Sequence, residues 1–237
     1  MIKKQIKHDL VVYENFLTED ECKRIKEWID YTVDNGRIKW NPISFYESYA
    51  LGFFDYDPTL VKFGFPADYM QKVLKEKFKS ATEDAMGIEV REVSFHSQRW
   101  LPGAFASFHS DNSDPETGEP NAFARSKIAS FLYLNDDFDG GLLNFADGVT
   151  TIKPQTGLLA VFKGGHDNKH EVTVVKDGNR YTIGSFWDYA ECEYSQETLD
   201  KWAEELKPVR EGQSKQAEEW KRLKEKGIVV SPYRGAE

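Results

Sequence analysis

The sequence predicts an α+β protein with helices in its first third, a β core in its middle and a helical tail. Three observations support this prediction. A helix-capping pattern followed by regularly spaced apolar residues begins at Thr18, seven short apolar segments lie between residues 90 and 190, and a charged tail follows residue 195. Seven short strands with no helix between them predict a sandwich, a jelly roll or a barrel.

The composition limits the class of protein further. A chain of 237 residues suits one large domain, or one domain with appendages. Aromatic residues make up 14% of the chain, which is too many for a disordered protein. No apolar run approaches the roughly 20 residues that span a bilayer. The first ten residues contain lysines with no apolar region behind them, so no signal peptide is expected.

Charge and cysteine usage predict the compartment and the partners. The formal net charge of -9 argues against nonspecific binding to nucleic acid. Cys22 and Cys192 are far apart in sequence and are interpreted as reduced thiols. We therefore expect a cytoplasmic protein with no membrane partner and no nucleic-acid partner. The oligomeric state stays open.

The N-terminal part is predicted to hold one strand and a first helix. Residues 10–13 are apolar and predict the strand. Thr18 and Glu21 have the spacing of a capping box, in which each side chain bonds the backbone of the other residue. Apolar residues then recur at spacings of three and four, which predicts a helix over residues 19–34.

An irregular region and a second helix are expected next. Residues 37–65 are aromatic and show no regular period. A helix is predicted over residues 66–86, beginning at Pro66 and ending near Gly87, because proline favours the first turn and glycine the end of a helix.

Seven segments are short, apolar and separated by glycine, proline, asparagine or aspartate. These predicted strands cover residues 90–100, 127–135, 141–145, 149–153, 158–162, 171–176 and 180–187. Residues 112–124 form a long polar connection between them. A loop of this length inside a compact domain is either a functional lid or disordered.

The tail is predicted to be helical, with a break at the Gly-Gln-Ser sequence of residues 212–214. We therefore divide the chain into a core domain, residues 1–194, and a charged helical tail, residues 195–237, that packs on or beside it. Within the core domain the strand and helices occupy residues 1–89, and the β core occupies residues 90–194.

Three residues have the spacing of metal ligands. His109 and Asp111 lie two positions apart, so their side chains share one face of an extended backbone. His170, from a distant predicted strand, would complete a triad of two histidines and one carboxylate, which is typical of non-haem Fe(II) oxygenases. Because His-x-Asp alone is common by chance, the second histidine makes the prediction specific.

Arg180 follows His170 by ten residues, across residues 177–179. Arginine binds a carboxylate through two parallel hydrogen bonds, so Arg180 is a candidate partner for the far carboxylate of a dicarboxylate co-substrate. Thr182 shares that strand face and could donate a further hydrogen bond. If the segments 171–176 and 180–187 form one hairpin, His170 and Arg180 face the same way only across an odd loop or a bulge. We therefore predict a three-residue or other odd loop, or a compensating β-bulge; the three-residue loop would end in a left-handed Asn179.

A longer ordered set of motifs resembles the prolyl 4-hydroxylase-like branch of the 2-oxoglutarate/Fe(II) dioxygenases. In chain order the set comprises Tyr13-Glu14-Asn15-Phe16-Leu17, His109-x-Asp111, Tyr133-Leu134-Asn135-Asp136, Gly140-Gly141, Asn144-Phe145, Lys153-Pro154-Gln155-x-Gly157, Phe162, and His170 with Arg180. The resemblance covers about residues 10–190.

The resemblance implies a double-stranded β-helix, or jelly-roll, core. It implies that His109, Asp111 and His170 bind Fe(II), and that Arg180 and Tyr133 hold 2-oxoglutarate. O2 is the implied oxidant, and ascorbate is a further candidate cofactor. The implied activity is hydroxylation of a substrate C–H, with release of succinate and CO2. The implied substrate is a prolyl residue in a peptide or protein.

Two positions depart from the pattern of many relatives, and one of them is Arg180, where the collagen-type and plant enzymes often have lysine. Trp100 stands where many relatives have a tyrosine that contacts the co-substrate, so that role is not carried over to it.

Residues 112–124, next to Asp111, are expected to form the lid over the substrate. The alternatives are a nucleic-acid demethylase or small-molecule oxygenase of the same superfamily, a jelly-roll binding protein without turnover, and an assembly protein driven by the tail.

Other histidines have simpler interpretations. His166 and His170 lie four apart and could bind zinc together on a helix, but the glycines and β-branched residues around them disfavour one. His166 is therefore predicted to be a loop residue near the site, and His96 a structural histidine on a strand. Tyr133, as a strand aromatic, could also be a core residue.

Overall fold

The computed structural model describes residues 1–35, 41–43, 48–52 and 57–226. Fourteen strands lie within these ranges, and most belong to two antiparallel sheets. The strands are β1 Ile2–Lys7, β2 Leu10–Glu14, β3 Asn41–Ile43, β4 Ser48–Gly52, β5 Val90–Trp100, β6 Ala106–His109, β7 Ile128–Tyr133, β8 Asp139–Gly140, β9 Leu143–Phe145, β10 Thr151–Ile152, β11 Leu159–Lys163, β12 His170–Val172, β13 Val175–Asp177 and β14 Arg180–Tyr189.

The two sheets form a jelly roll. The larger sheet has eight strands in the order β1-β2-β11-β7-β14-β5-β4-β3, and the smaller has the order β10-β9-β12-β6. Strands β13 and β8 form a separate pair. Several neighbouring strands, such as β5 and β14 or β6 and β12, are distant in sequence, so residues from separate parts of the chain meet between the sheets.

Three α-helices accompany the sheets in the described ranges: α1 Glu19–Asp34, α2 Lys75–Met86 and α3 Gln196–Glu225. The predicted first helix is confirmed together with its capping box, because the Glu21 N–H donates to Thr18 Oγ1 at 3.2 Å and the Thr18 N–H to Glu21 Oε2 at 2.9 Å. None of the helices in these ranges is long and apolar enough to cross a membrane.

The second predicted helix begins differently from the prediction. A 3-10 helix spans Pro58–Phe63, and a π-helical turn at Met70–Leu74 leads into α2. Only the end agrees, where Gly87 adopts a left-handed conformation with φ of 69° after the last helical residue. The chain thus becomes α-helical nine residues later than the prediction of residue 66.

Successive side chains along each strand of the larger sheet point to opposite faces, and this alternation produces two separate apolar cores. On β14, Tyr181, Ile183 and Trp187 pack with α1 and α2 on the outer face. Arg180 and Phe186 point from the same strand into the space between the sheets. The outer core anchors the helices, whereas the inner space receives the predicted site residues.

Two predictions about element boundaries are wrong. Residues 37–65, expected to be irregular, contain β3 and β4 at the edge of the larger sheet, although residues 36–40, 44–47 and 53–56 lie outside the described ranges. The predicted break at 212–214 is absent, since α3 is continuous through Gly212. Residues 227–237 lie outside the described ranges, and the division of the chain at residue 194 stays a prediction.

The predicted hairpin between His170 and Arg180 is also wrong. β12 ends at Val172 in the smaller sheet, and the chain then crosses to the larger sheet, where Arg180 is paired with Trp100 of β5. The single segment predicted over residues 171–176 is therefore split into β12 and β13. The left-handed residue is Gly178, with φ of 74°, rather than Asn179.

Candidate active site

Three potential metal ligands meet between the sheets. His109 ends β6 and His170 begins β12, and the two residues are antiparallel cross-strand partners. Their ring centroids are 4.4 Å apart. Asp111 lies two residues after the end of β6 and is held by its N–H, which donates to the Gly164 carbonyl at 2.8 Å. The structure thus brings together the three residues that the sequence placed in two distant segments.

The ligand atoms of these residues converge on one point. Nε2 of His109 lies 3.6 Å from Asp111 Oδ1, and Nε2 of His170 lies 3.7 Å from the same oxygen. One ligand atom from each of the three residues lies within 4.8 Å of the others. Atoms at this separation can bind a single ion.

Both imidazoles are oriented by backbone carbonyls. The Nδ1–H of His109 donates to the Ser107 carbonyl at 2.7 Å, and that of His170 to the Asn168 carbonyl at 3.0 Å. A hydrogen bond at Nδ1 assigns the proton to that nitrogen and leaves the Nε2 lone pair for a metal. Both Nε2 atoms face Asp111, so the lone pairs converge.

The two histidines differ in their electrostatic surroundings. Burial lowers the pKa of His170, although the Asp111 carboxylate acts in the opposite direction. Burial also disfavours the charged form of His109, but Asp111 and the Ser107 carbonyl outweigh it and raise the pKa of His109. The carboxylate therefore attracts positive charge to the centre of the cluster.

Asp111 provides the test of whether a cation fits. Its Oδ2 is buried, and in the described part of the chain it has no hydrogen-bond partner. A buried carboxylate oxygen without a partner costs several kcal/mol in principle, unless a cation or donor reaches it. Two imidazoles, each able to bind in its neutral form, and one carboxylate are a donor set that suits Fe(II).

Arg180 and Tyr133 line the same cavity as the triad. Arg180 is 3% exposed, and its guanidinium carbon lies 5.1 Å from the centre of the Tyr133 ring. Burial raises the pKa of Tyr133, and the positive charge of Arg180 partly offsets that rise. A cation and a phenol inside this cavity can bind an anionic group of a ligand that also reaches the triad.

Thr182 is placed differently from the other predicted residues. Its hydroxyl accepts a hydrogen bond from Trp100 Nε1 at 3.2 Å and donates to Gln98 Oε1 at 3.3 Å. Gln98 and Trp100 line the cavity, whereas Thr182 reaches it only through them. Contact between Thr182 and a co-substrate therefore stays a prediction.

Sequence reasoning missed several lining residues, among them Gln98, Phe131 and Phe186. Gln98 shares the inner face of β5 with Trp100, and Phe131 and Phe186 occupy inner positions of β7 and β14. The alternation of side chains along each strand could have indicated these residues. The register between the strands, which brings them to one cavity, could not be read from the sequence.

The remaining histidines lie apart from the triad. His166 is in a short 3-10 turn, His166–Asn168, close to Gly118 of the predicted lid. His96 faces Phe186, with ring centroids 6.2 Å apart, and burial lowers its pKa to about 4. These placements agree with the interpretation of His166 as a loop residue and of His96 as a structural residue.

The predicted lid is an ordered loop. Asp114 Oδ1 accepts hydrogen bonds from the N–H groups of Glu116 and Thr117 at 2.9 and 2.7 Å. The loop closes on itself through the Asp114 N–H, which donates to the Glu119 carbonyl at 2.8 Å. Lys169 Nζ donates to the Pro115 carbonyl at 3.1 Å, which ties the loop to the chain just before His170.

Residues 95–188 match the model of the 2OG-Fe(II) oxygenase superfamily. This segment contains the triad, Tyr133 and Arg180, and it forms most of the jelly roll. The chain therefore contains a 2OG-Fe(II) oxygenase domain in this segment, and the predicted double-stranded β-helix is confirmed. Enzymes of this superfamily use Fe(II), 2-oxoglutarate and O2.

Among curated proteins, the similar sequences include prolyl 3-hydroxylases. Human prolyl 3-hydroxylase 3 is 34% identical over 116 residues, which is 44% of this chain and 15% of the relative. Mouse prolyl 3-hydroxylase 2 is 34% identical over 113 residues, which is 43% of this chain and 15% of the relative. The chain thus spans about 15% of the length of these relatives.

Similar solved structures share the fold at low sequence identity. A prolyl-4-hydroxylase from Pseudomonas putida has a TM-score of 0.58 and 19% identity, over 77% of this chain and 94% of that one. A prolyl hydroxylase from Trichoplax adhaerens, in complex with a peptide fragment of the hypoxia inducible factor oxygen degradation domain, has a TM-score of 0.57 and 13% identity, over 77% of this chain and 84% of that one.

Proposed function

We propose that the protein is an Fe(II)- and 2-oxoglutarate-dependent dioxygenase that hydroxylates a prolyl residue in a peptide or protein and releases succinate and CO2. The observation that carries the proposal is the meeting of His109, Asp111 and His170 in one cavity with Arg180. Three protein ligands would leave room at a bound Fe(II) for a co-substrate and for O2.

When bound, the iron supplies the redox chemistry that couples decarboxylation of 2-oxoglutarate to oxidation of the substrate C–H. The chain supplies binding and orientation. Asp111 and the two histidines would hold the metal, while the carbonyls of Ser107 and Asn168 fix the imidazoles.

The cavity wall supplies charge and excludes water. Arg180 would neutralise the far carboxylate of 2-oxoglutarate, and the Tyr133 hydroxyl would donate to it. Phe162 packs edge-on against His170, with ring centroids 4.8 Å apart, and Phe145 lies behind the same imidazole. These rings keep water from the protein side of the triad and strengthen the electrostatic contacts inside it.

The substrate class rests on the relatives. The similar curated proteins include prolyl 3-hydroxylases, and the similar structures include a prolyl-4-hydroxylase and a prolyl hydroxylase with a bound peptide. We propose a proline-containing peptide or protein as substrate, with the lid of residues 112–124 covering it. The cytoplasm is the proposed compartment, which the free thiols of Cys22 and Cys192 support.

Succinate formation tests the proposal. The full chain with Fe(II), ascorbate and 2-oxoglutarate is incubated with a panel of proline peptides and, separately, with methylated oligonucleotides. We expect succinate that depends on a proline peptide, a mass gain of one oxygen on that peptide, and a loss of both signals in Asp111→Ala. Fragmentation of the product would identify carbon 3 or carbon 4 of the ring.

Three other outcomes would contradict the proposal in different ways. Turnover only with the oligonucleotides would favour a nucleic-acid demethylase, and turnover with neither would favour a jelly-roll binding protein or a small-molecule oxygenase. Full activity in Asp111→Ala would show that turnover does not require the triad of His109, Asp111 and His170.

A further inference from the structure

Trp100 lies beside the cation proposed to bind 2-oxoglutarate. It ends β5 and is the cross-strand partner of Arg180 on β14. The guanidinium carbon of Arg180 lies 4.7 Å from the centre of the Trp100 ring, which is a cation–π contact. Tyr133 of β7 makes the second such contact at 5.1 Å. Since β14 lies between β5 and β7, the two rings approach Arg180 from strands on either side.

The indole ring is itself fixed. Its Nε1–H donates to the Thr182 hydroxyl, which in turn donates to Gln98 Oε1. Trp100 is 3% exposed and belongs to the core between the sheets. A ring held by packing and by a hydrogen bond cannot easily rotate away from Arg180.

A glycine completes the surroundings of Arg180. A Cβ at Gly141 would lie 2.8 Å from Arg180 Cδ, so the absence of a side chain there provides the space that the arginine stem occupies. Arginine has several rotatable bonds, and ordering such a side chain costs conformational entropy. Rings on two sides, with a close-fitting backbone at the stem, order the guanidinium before any ligand binds.

We propose that Trp100 is a positioning residue that sets the selectivity for a 2-oxo dicarboxylate over a 2-oxo monocarboxylate by holding Arg180 ready for the far carboxylate. This inference rests on the proposed function. A guanidinium contacted by rings offers its N–H edge to a ligand, and the edge is what binds a carboxylate through two hydrogen bonds. The indole thus contributes through Arg180, without the phenol of a tyrosine.

The test measures binding without turnover. Calorimetry on the full chain loaded with Mn(II), without O2, gives dissociation constants for 2-oxoglutarate and for 2-oxobutyrate, which has the same keto-acid end but no far carboxylate. We expect Trp100→Leu to weaken 2-oxoglutarate binding by about 10-fold and to change 2-oxobutyrate binding by less than about twofold. Trp100→Phe, which retains an aromatic face, should recover most of the selectivity.

A double-mutant comparison tests whether Trp100 acts through Arg180. In an Arg180→Ala background, Trp100→Leu should have little further effect on 2-oxoglutarate binding. Trp187→Leu is the matched control, because Trp187 is a buried tryptophan on the opposite face of the same sheet, with its indole N–H bonded to Ser130. The control should lower stability without changing the ratio of the two dissociation constants.

Each remaining result has a defined meaning. The inference would be overturned if Trp100→Leu left the ratio of the two dissociation constants unchanged, which includes equal weakening of the binding of both acids. It would also be overturned if Trp100→Leu weakened 2-oxoglutarate binding as much in the Arg180→Ala background as in the wild-type protein. Either result would leave the proposed function standing. Failure of the wild-type protein to bind 2-oxoglutarate at all would overturn both. If Trp100→Leu does not fold, Trp100→Met replaces it, since methionine fills similar space without an aromatic face.

Discussion

Gly164 determines how closely the backbone approaches the Asp111 carboxylate. A Cβ at this position would lie 2.6 Å from Asp111 Oδ2 and 2.9 Å from the Ser126 carbonyl. The backbone of Gly164 cannot shift freely, because its N–H donates to the Lys127 carbonyl and its own carbonyl accepts from Asp111. A side chain at residue 164 must therefore displace the carboxylate.

We expect Gly164→Ala to weaken Mn(II) binding by about 10- to 100-fold, since groups around a ligand affect metal affinity to this extent. Titration of the metal-free protein measures the effect. Gly165→Ala is the control: that residue has an ordinary φ of -80°, and the nearest atom to its Cβ is 3.9 Å away. Equal affinity in the two variants would show that Asp111 does not need this space.

His96 predicts part of the pH dependence of stability. Its pKa is lowered to about 4 by burial, whereas the unfolded chain returns it to about 6.5. The unfolded state therefore binds more protons between these values, and stability falls as pH falls from about 6.5 through about 4. His96 retains some solvent exposure as a residue, which limits the effect, so the loss between pH 7 and pH 5 is expected to be about 1–2 kcal/mol.

Urea unfolding at pH 7 and pH 5 measures this contribution. His96→Gln should lose less stability than the wild-type protein over that interval, by about 1–2 kcal/mol, because glutamine does not titrate. His8→Gln, at an exposed histidine, should behave like the wild-type protein. If His96→Gln and the wild type lost the same stability, another group would be responsible.

Residue identities in the site could be predicted where the chemistry is local. His109 and Asp111 share a face because of their spacing alone, and His170 and Arg180 were identified by residue type and order. The supporting roles of Gly164 and Trp100 depend on which strands lie side by side. That register is a property of the sheet and has no signal in a single sequence.

At the scale of elements, Asp114 organises the loop next to Asp111. Its carboxylate accepts two backbone N–H groups and the Thr117 hydroxyl, which lowers the pKa of Asp114. We expect Asp114→Ala to increase amide exchange at residues 116 and 117 by about 10-fold, because local openings of a loop become easier when its hydrogen bonds are lost. Peptide turnover should fall, whereas metal and 2-oxoglutarate affinities should not change.

The chain offers a matched control in a second turn of the same kind. Asp147 Oδ1 accepts from the N–H groups of Val149 and Thr150 in the turn between β9 and β10. Asp147→Ala should loosen that turn and leave turnover intact. Equal losses of turnover in Asp114→Ala and Asp147→Ala would contradict a specific role of residues 112–124 as a lid.

Helix α1, the end of α2 and the strands β5, β7, β11 and β14 were predicted well, whereas β1 and the pairing of the segments between His170 and Arg180 were not. The capping box defines α1, and the left-handed Gly87 defines the end of α2. β1 was missed because its residues are mostly charged or polar and it pairs at the sheet edge. The hairpin to Arg180 was wrong because an Asp-Gly sequence has the same appearance in a hairpin and in a crossover between sheets.

At the scale of the whole molecule, one sheet serves two functions. Its outer face packs against α1 and α2 in a large apolar core, and its inner face carries Arg180, Tyr133 and Trp100. The smaller sheet carries both histidines. A ligand that contacts the triad and Arg180 together therefore connects the two sheets, and its binding should stabilise the folded chain as a whole.

Thermal unfolding tests this connection. A ligand at 100 times its dissociation constant stabilises the folded state by about 2.7 kcal/mol, which for a chain of this size raises the unfolding midpoint by about 5–10 °C. We expect Mn(II) to raise the midpoint, and 2-oxoglutarate to raise it further only when Mn(II) is present, because the co-substrate would bind the metal and Arg180 at once. Asp111→Ala should abolish both shifts, whereas Arg180→Ala should retain the metal shift and lose most of the second. A 2-oxoglutarate shift of full size without metal, or in Arg180→Ala, would mean that the two sheets are not connected through this ligand.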